Sequence, residues 1–135
     1  MSGDEFFLDT NVLIYLVSGD EPKVARSNAL IESGGVVSVQ VLNEFVSVAA
    51  HKYRVDWPKI DFILATVKDA CKVVPLTIES HERGLALSRR YGFAIYDAMI
   101  VAAAELAGCR ILYTEDMHDG LAVGKLTLRN PYKPH

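Results

Sequence analysis

The sequence contains too few cysteines for a disulfide framework or a cysteine-based metal centre. Its two cysteines, Cys71 and Cys109, stand far apart and match no metal-binding or redox spacing. Unpaired thiols are typical of a reducing compartment, and residues 1–5, MSGDE, are acidic where a secretory signal would be basic. The sequence therefore predicts a cytoplasmic protein.

The sequence also lacks an excess of positive charge and a long hydrophobic run. Its 14 basic and 17 acidic residues give a formal charge of −3, which argues against binding nucleic acid through a broad basic surface. This charge is still compatible with a nuclease that meets phosphates through metal ions. The longest apolar tract, residues 94–108, is interrupted by Asp97 and Glu105 and is too short to span a bilayer.

Half of the 135 residues are hydrophobic and 23% are charged, which predicts one compact domain over residues 1–135. Short apolar runs typical of buried strands occur at residues 6–8, 36–39, 72–76, 110–113 and 126–128. Segments with helical patterns and boundary signals lie between them, at residues 12–17, 22–33, 39–53, 58–71, 79–92 and 96–106. Ser38 and Thr77 are predicted to cap the helices that follow them. Strands that alternate with helices predict an α/β fold, with a parallel sheet covered on both faces.

An aspartate interrupts the first apolar stretch, FFLDTNVLIY. Asp9 follows the first predicted strand, in a place where an ionised carboxylate is costly to desolvate unless something compensates it. One interpretation is a helix cap, in which Asp9 or Thr10 accepts hydrogen bonds from a helix that begins near Asn11. The other is a functional site, because open α/β sheets bind ligands at the carboxyl ends of their strands.

Three more acids stand in positions unlike those of a solvated helix face. Glu44 is expected on an apolar helical face with Val41 and Val48, and no Lys or Arg occurs near it in the sequence to neutralise it. Asp97 falls in the first turn of the most apolar helix, where the helix dipole would also favour an acid. Asp116 follows the fourth predicted strand, where an ordinary loop acid is the alternative.

These four acids are expected to meet at one edge of the sheet, because Asp9 and Asp116 follow strands, and the other two begin or occupy helices that follow strands or turns. Carboxylates gathered in one place repel one another and raise each other's pKa unless a cation is present. Hard divalent ions prefer oxygen ligands, and Mg²⁺ typically uses a few carboxylates while it keeps several waters. The lack of a His or Cys cluster argues against zinc.

Four segments, in the order DTNVLIY, NEF, YDAMIVAAA and LYTEDMHDG, resemble the signature segments of PIN domains. The likeness is greatest to VapC-type toxins, the ribonuclease halves of toxin–antitoxin pairs, and it covers nearly the whole chain. It implies a three-layer α/β/α sandwich around a mostly parallel sheet of four to five strands. It also implies cleavage of RNA that depends on Mg²⁺ or Mn²⁺, a homodimer, and inhibition by a cognate antitoxin.

The resemblance assigns site residues by position. The four family acids match, in chain order, Asp9, Glu44, Asp97 and Asp116. The segment TEDMHDG leaves the fourth acid open, because Glu115 and Asp119 are alternatives to Asp116. Three polar residues match positions that orient carboxylates or waters: Thr10, Asn11 and Thr114.

The hypothesis that follows is metal-assisted hydrolysis of a phosphodiester. Asp9 and Asp97 would hold the principal Mg²⁺, with Asp116 binding it directly or through water. Glu44 would orient or deprotonate the attacking water, or help to bind a second ion. Tyr91 and Tyr96, which precede Asp97, are expected to pack in the core instead of stacking on RNA bases, because most aromatic residues serve cores.

Other protein classes fit the sequence less well. A receiver domain, which transfers phosphoryl groups at an Mg²⁺ pocket, needs an aspartate after its third strand, where this chain has Thr77-Ile78-Glu79. A haloacid-dehalogenase-type phosphatase needs a second aspartate two positions after Asp9, where Asn11 stands. A PIN-like module that acts only through protein contacts is a further alternative, although all four acids are present.

Overall fold

The structure is a computed structural model and describes residues 6–134. The acidic segment at residues 1–5 lies outside the described residues. The strands are β1 (Phe6–Leu8), β2 (Val36–Ser38), β3 (Lys72–Val74), β4 (Ile111–Tyr113), β5 (Ala122–Val123) and β6 (Leu126–Arg129). The helices are α1 (Thr10–Ile14), α2 (Glu21–Glu32), α3 (Val39–His51), α4 (Trp57–Ala70), α5 (Ile78–Tyr91) and α6 (Ile95–Leu106). A single 3₁₀ turn, Tyr15–Val17, continues α1.

The strands form one sheet in the order β3-β2-β1-β4-β6-β5. All neighbouring pairs are parallel except β5 and β6, so the prediction of a mostly parallel sheet is confirmed. Within residues 6–134 the sheet has six strands, where four to five were predicted. The additional strand is β5, whose two residues pair antiparallel with β6 and are too few to produce a recognisable pattern.

Helices cover the sheet in two groups. The connections from β1 to β2 and from β2 to β3 run in one direction along the sheet, whereas the connection from β3 returns past β1 to β4. Since such crossovers are right-handed, reversing their direction places α5 and α6 on the opposite face from α3 and α4. The helices α5 and α6 pack tightly at Gly84, where a Cβ atom would lie 2.5 Å from Met99 Sδ. The result is the expected three-layer arrangement.

Local sequence explains where several helices begin and end. Ser38 and Thr77 cap α3 and α5, as the sequence predicts, by accepting hydrogen bonds from backbone N–H groups of the first turn. Asp56 caps α4 in the same way. Gly92 ends α5 in a left-handed conformation with φ of 76°, which glycine adopts without strain.

The centre of the sheet positions the residues that follow β1 and β4. These strands are adjacent and parallel, and Leu8 pairs with Tyr113 at their carboxyl ends. The next backbone step is also shared, because Asp9 N donates to Tyr113 O at 3.0 Å. Asp9 and Thr114 therefore leave the sheet side by side.

Two further expectations concern residues away from the sheet edge. In the described part of the chain, no helix is both long enough and apolar enough to cross a membrane. Cys71 and Cys109 are both buried, and no disulfide joins them.

Candidate active site

The carboxyl edge of the sheet opens into a cleft of about 350 Å³ that we call the acidic cleft. It is lined by Asp9, Thr10, Asn11, Ile14, Glu44, Ser47, Val48, Asp97 and Asp116. The structure thus brings together all four acids that the sequence analysis selected, from four segments that are remote along the chain. No Lys, Arg or His stands among these lining residues within 6–134.

Asp9 is the most buried of the four acids, with 3% of its surface exposed. Its Oδ1 accepts a hydrogen bond from Thr10 N at 2.6 Å, so Asp9 does cap α1. Its Oδ2 accepts one from Thr114 Oγ1 at 2.7 Å and faces the cleft residue Asn11. The helix cap and the cleft position are therefore two roles of the same side chain.

The pKa of Asp9 is raised to about 7. Burial is the main cause, and the negative charges of Asp116 and Asp97 add to it. The hydrogen bonds from Thr114 and Thr10 oppose this shift but do not cancel it. Ionised Asp9 is therefore poorly compensated by the groups around it.

Asp97 and Asp116 approach Asp9 from other elements. Asp97 is half-buried in the first turn of α6, and burial followed by the charge of Asp116 raises its pKa. Asp116 is exposed, and its Oδ2 accepts a hydrogen bond from Asn11 Nδ2 at 3.1 Å. Its backbone N–H donates to Thr114 Oγ1 at 3.2 Å, which links it to the residue that contacts Asp9.

Glu44 lies at the rim of the cleft and not within the apolar stripe that the sequence predicted. The buried stripe of α3 runs through Val41, Phe45 and Ala49, whereas Glu44 and Val48 are half-buried beside it. The predicted buried face of α3 was therefore displaced by about one residue. Most residues of α3 are apolar, so the sequence does not show which of them are buried.

Gln40 is a cleft neighbour that the sequence analysis missed. Its Nε2 donates to Glu44 Oε2 at 3.1 Å and to the backbone oxygen of Tyr96 at 3.0 Å. Thr10 Oγ1 donates to the same Glu44 oxygen at 3.3 Å. The sequence did contain a signal for this contact, because residues four apart on a helix, such as Gln40 and Glu44, lie next to each other on its surface.

The two alternatives for the fourth acid lie outside the cleft lining. Glu115 accepts hydrogen bonds from Tyr15 and from Lys23, whose Nζ is 2.6 Å away. Asp119 Oδ1 accepts the backbone N–H of Asn130 at 2.8 Å. Asp116 is therefore the acid of this segment that faces the cleft.

Tyr96 does not pack in the core as expected. It is 69% exposed in the first turn of α6, whose buried residues begin only at Ala98. Its position beside Asp97 leaves an aromatic ring on the surface next to the cleft. Its backbone oxygen accepts a hydrogen bond from Gln40 Nε2, which connects the start of α6 to α3.

The residues of the cleft fit a hydrated divalent cation. Asn11 is 8% exposed, and its Oδ1 has no hydrogen-bond partner while its Nδ2 faces Asp9 and Asp116. Carboxylate and amide oxygens suit Mg²⁺, which keeps several waters. Across residues 6–134, no three His, Cys, Asp or Glu side chains lie close enough together to hold a metal ion by direct contact. The acids surround a shared space, which suits an ion held partly through water.

Comparisons with known proteins agree with this architecture. No curated protein sequence matches the chain significantly. A toxin–antitoxin complex from Klebsiella pneumoniae contains a similar chain, with 26% identity and a TM-score of 0.71 over 95% of this chain and 98% of that one. VapC20 from Mycobacterium tuberculosis, a Sarcin-Ricin loop cleaving toxin, has 19% identity and a TM-score of 0.67 over 82% and 89%.

A third similar structure is the DNA-bound VapBC complex from Salmonella typhimurium. Its matching chain has 19% identity and a TM-score of 0.66, and the match covers 95% of this chain and 98% of that one. At such identities the likeness to VapC20 and to VapBC concerns the fold alone. The family model of the PIN domain, however, matches the sequence itself over residues 6–118. The chain therefore belongs to the PIN domain family.

Proposed function

We propose that this protein is an endoribonuclease that hydrolyses phosphodiester bonds of RNA with Mg²⁺, or Mn²⁺ in its place. The observation that carries the proposal is the charge of the acidic cleft. Asp9 is buried with a pKa of about 7, the charges of Asp97 and Asp116 help to raise it, and no basic side chain lines the cleft in the described residues. Such a group of carboxylates is tolerated best with a divalent cation among them.

Asp9, Asp97 and Asp116 would hold the ion, partly through its bound waters. When bound, such an ion neutralises charge on the scissile phosphate and lowers the pKa of a bound water. Thr114 orients Asp9 by donating to its Oδ2. Asn11 Nδ2 orients Asp116 by donating to its Oδ2.

Glu44 is the group proposed to orient or deprotonate the attacking water, or to help bind a second ion. Its carboxylate is fixed by hydrogen bonds from Thr10 and Gln40, both to Oε2. A fixed carboxylate at the cleft rim can accept a proton from a water in the cleft without first reorganising.

We also propose that the protein is the cytoplasmic toxin of a toxin–antitoxin pair, folded as a single domain over residues 1–135 and assembled as a homodimer. Similarity to a chain of the Klebsiella pneumoniae toxin–antitoxin complex supports a cognate antitoxin as partner. So does an apolar groove lined by Leu16, Val24, Ile31, Phe62, Ile63 and Val67, among other residues. Phe62 is 71% exposed there, and exposed apolar patches mark interaction sites.

The test of the proposed activity compares two matched Asp→Asn variants. Purified wild-type protein should cleave RNA with Mg²⁺ or Mn²⁺ and should stop when a chelator is added. Asp97→Asn should lose at least about 100-fold in activity, because loss of a group that merely supports a metal ligand already costs 10- to 100-fold. The control is Asp61→Asn, the same change at an exposed acid of α4 outside the cleft.

Full activity in Asp97→Asn would contradict the site assignment. A wild-type protein that binds Mg²⁺ but leaves every tested RNA intact would favour the non-catalytic alternative. Sequencing the RNA ends produced on controlled expression identifies the cleavage position if activity is found.

A further inference from the structure

Two adjacent acids after β4 point in different directions. Asp116 faces the acidic cleft, where its Oδ2 accepts a hydrogen bond from Asn11 Nδ2 at 3.1 Å. Glu115 reaches toward α2 instead, where its two oxygens accept hydrogen bonds from Tyr15 Oη and from Lys23 Nζ. An irregular turn has no periodicity that decides which of two neighbouring residues faces a cleft. Contacts with the rest of the fold must decide it.

Lys23 is held firmly in this arrangement. Its Nζ donates to Glu115 Oε2 at 2.6 Å and to Tyr15 Oη at 2.9 Å. The same nitrogen lies 4.5 Å and 5.3 Å from the ring centroids of Tyr15 and Tyr132, which pack edge to face against each other. Hydrogen bonds and cation–π contacts together restrict the ammonium group. This is a network, unlike an isolated surface ion pair, which contributes little.

The other contacts of the turn fix its beginning. Thr114 N donates to Arg129 O at 2.9 Å, and Thr114 Oγ1 joins Asp9 to the backbone of Asp116. These bonds place the turn at the edge of the sheet. The Glu115 carboxylate adds side-chain contacts. They connect the middle of the turn to α2 through Lys23 and to the 3₁₀ turn after α1 through Tyr15.

We propose that Lys23 and Tyr15 are positioning residues of the acidic cleft: they hold Glu115 away from the cleft and thereby present Asp116 to a divalent ion. This inference rests on the proposed function in one respect, because it takes the cleft to hold such an ion. Without Lys23, the Glu115 carboxylate loses its counter-charge next to Asp116, and the turn loses its tie to α2. The cost should resemble that of losing a group that orients a metal ligand, about 10- to 100-fold in affinity.

The experiment measures Mn²⁺ binding in the absence of RNA, by electron paramagnetic resonance, and amide hydrogen exchange over residues 114–116. Lys23→Met removes the charge and keeps most of the apolar stem. We expect its Mn²⁺ affinity to fall about tenfold and exchange in the turn to accelerate. Lys23→Arg, which retains a cation, should recover most of that affinity.

A second variant and a matched control separate positioning from general stability. Tyr15→Phe removes only the hydroxyl group that contacts Glu115, and it serves as the test if Lys23→Met does not fold. The control, Arg83→Met, makes the same kind of change at the Arg83–Glu105 pair between α5 and α6. We expect the control to bind Mn²⁺ like the wild type.

The possible results distinguish this inference from the proposed activity. Wild-type Mn²⁺ affinity and turn exchange in Lys23→Met and in Tyr15→Phe would overturn the positioning role, as would an equal loss of affinity in Arg83→Met. If the wild type binds Mn²⁺ but cleaves no RNA, the ribonuclease proposal fails and the positioning role is judged by binding alone. A wild-type protein that binds no Mn²⁺ would overturn both.

Discussion

The two ends of α6 carry acids in opposite surroundings. Asp97, in the first turn, is half-buried at the acidic cleft, and its pKa is raised by burial and by the charge of Asp116. Glu105, in the last turn, accepts hydrogen bonds from Arg83 Nε at 2.6 Å and Nη2 at 3.0 Å. Arg83 in turn has its pKa raised, chiefly by this hydrogen bonding.

The difference distinguishes a structural carboxylate from a candidate functional one. Glu105 meets a cation of its own chain, and the pair sits at the surface, where it joins α5 to α6. Asp97 has other acids as neighbours, and no basic residue lines its cleft in the described residues. A fold does not gain stability from gathering like charges, so the first turn of α6 is where a ligand is expected to supply the missing charge.

Removing the most buried acid should have the largest effect. We expect Asp9→Asn to reduce RNA cleavage by at least about 100-fold, more than the loss of an orienting group would. The same change should raise the free energy of unfolding of the metal-free protein above pH 7, because it removes a poorly compensated buried charge. Cleavage assays and chemical denaturation of one preparation measure both effects. A variant that is less stable than the wild type at pH 8 would contradict the second expectation.

The stability of the metal-free protein should depend on pH through Asp9. Its pKa is about 7 when folded against a model value of 3.8, so the folded state binds more protons between these values. The free energy of unfolding should therefore fall as the pH rises from about 4 to about 7, by roughly 4 kcal/mol from this group alone. Thermal melts across this range, with Asp9→Asn as the reference, isolate the contribution.

Repeating the thermal melts with Mg²⁺ tests whether the ion binds at Asp9. An ion that binds only the folded protein stabilises it, and it competes with the proton on Asp9. The increase in Tm on adding Mg²⁺ should therefore be larger at pH 8 than at pH 5, and it should shrink in Asp9→Asn. An increase in Tm that does not change with pH would show that the ion does not compete with the proton on Asp9.

The paired end of α6 should give the smallest effect. Arg83→Met removes the partner of Glu105, and exposed ion pairs contribute about 0–1 kcal/mol. The side chains of Arg83 and Glu105 are 43% and 24% exposed, so solvent screens much of their attraction. Denaturation should show a change within that range, with RNA cleavage unaltered. A loss of activity would show that the two ends of α6 are coupled.

Much of the fold was predictable from local signals. The alternation of strands and helices predicted a mostly parallel sheet, and Ser38 and Thr77 were predicted as helix caps. Because parallel strands end at one edge, position along the chain was enough to place Asp9 and Asp116 near each other. The acids reached the cleft because strand ends and helix starts determine where the backbone goes.

Other features depended on contacts that no local pattern encodes. Tertiary packing set the buried face of α3, which left Glu44 at the rim, and it paired β5 with β6 through only two residues. The choice of Asp116 over Glu115 was likewise open in the sequence. Lys23 binds the Glu115 carboxylate, and Asn11 binds that of Asp116. Two residues remote along the chain thus direct these neighbouring side chains to different places. A turn without periodicity takes its side-chain directions from its partners, so the sequence determined which acids were available, and only the folded chain decided which of them faces the cleft.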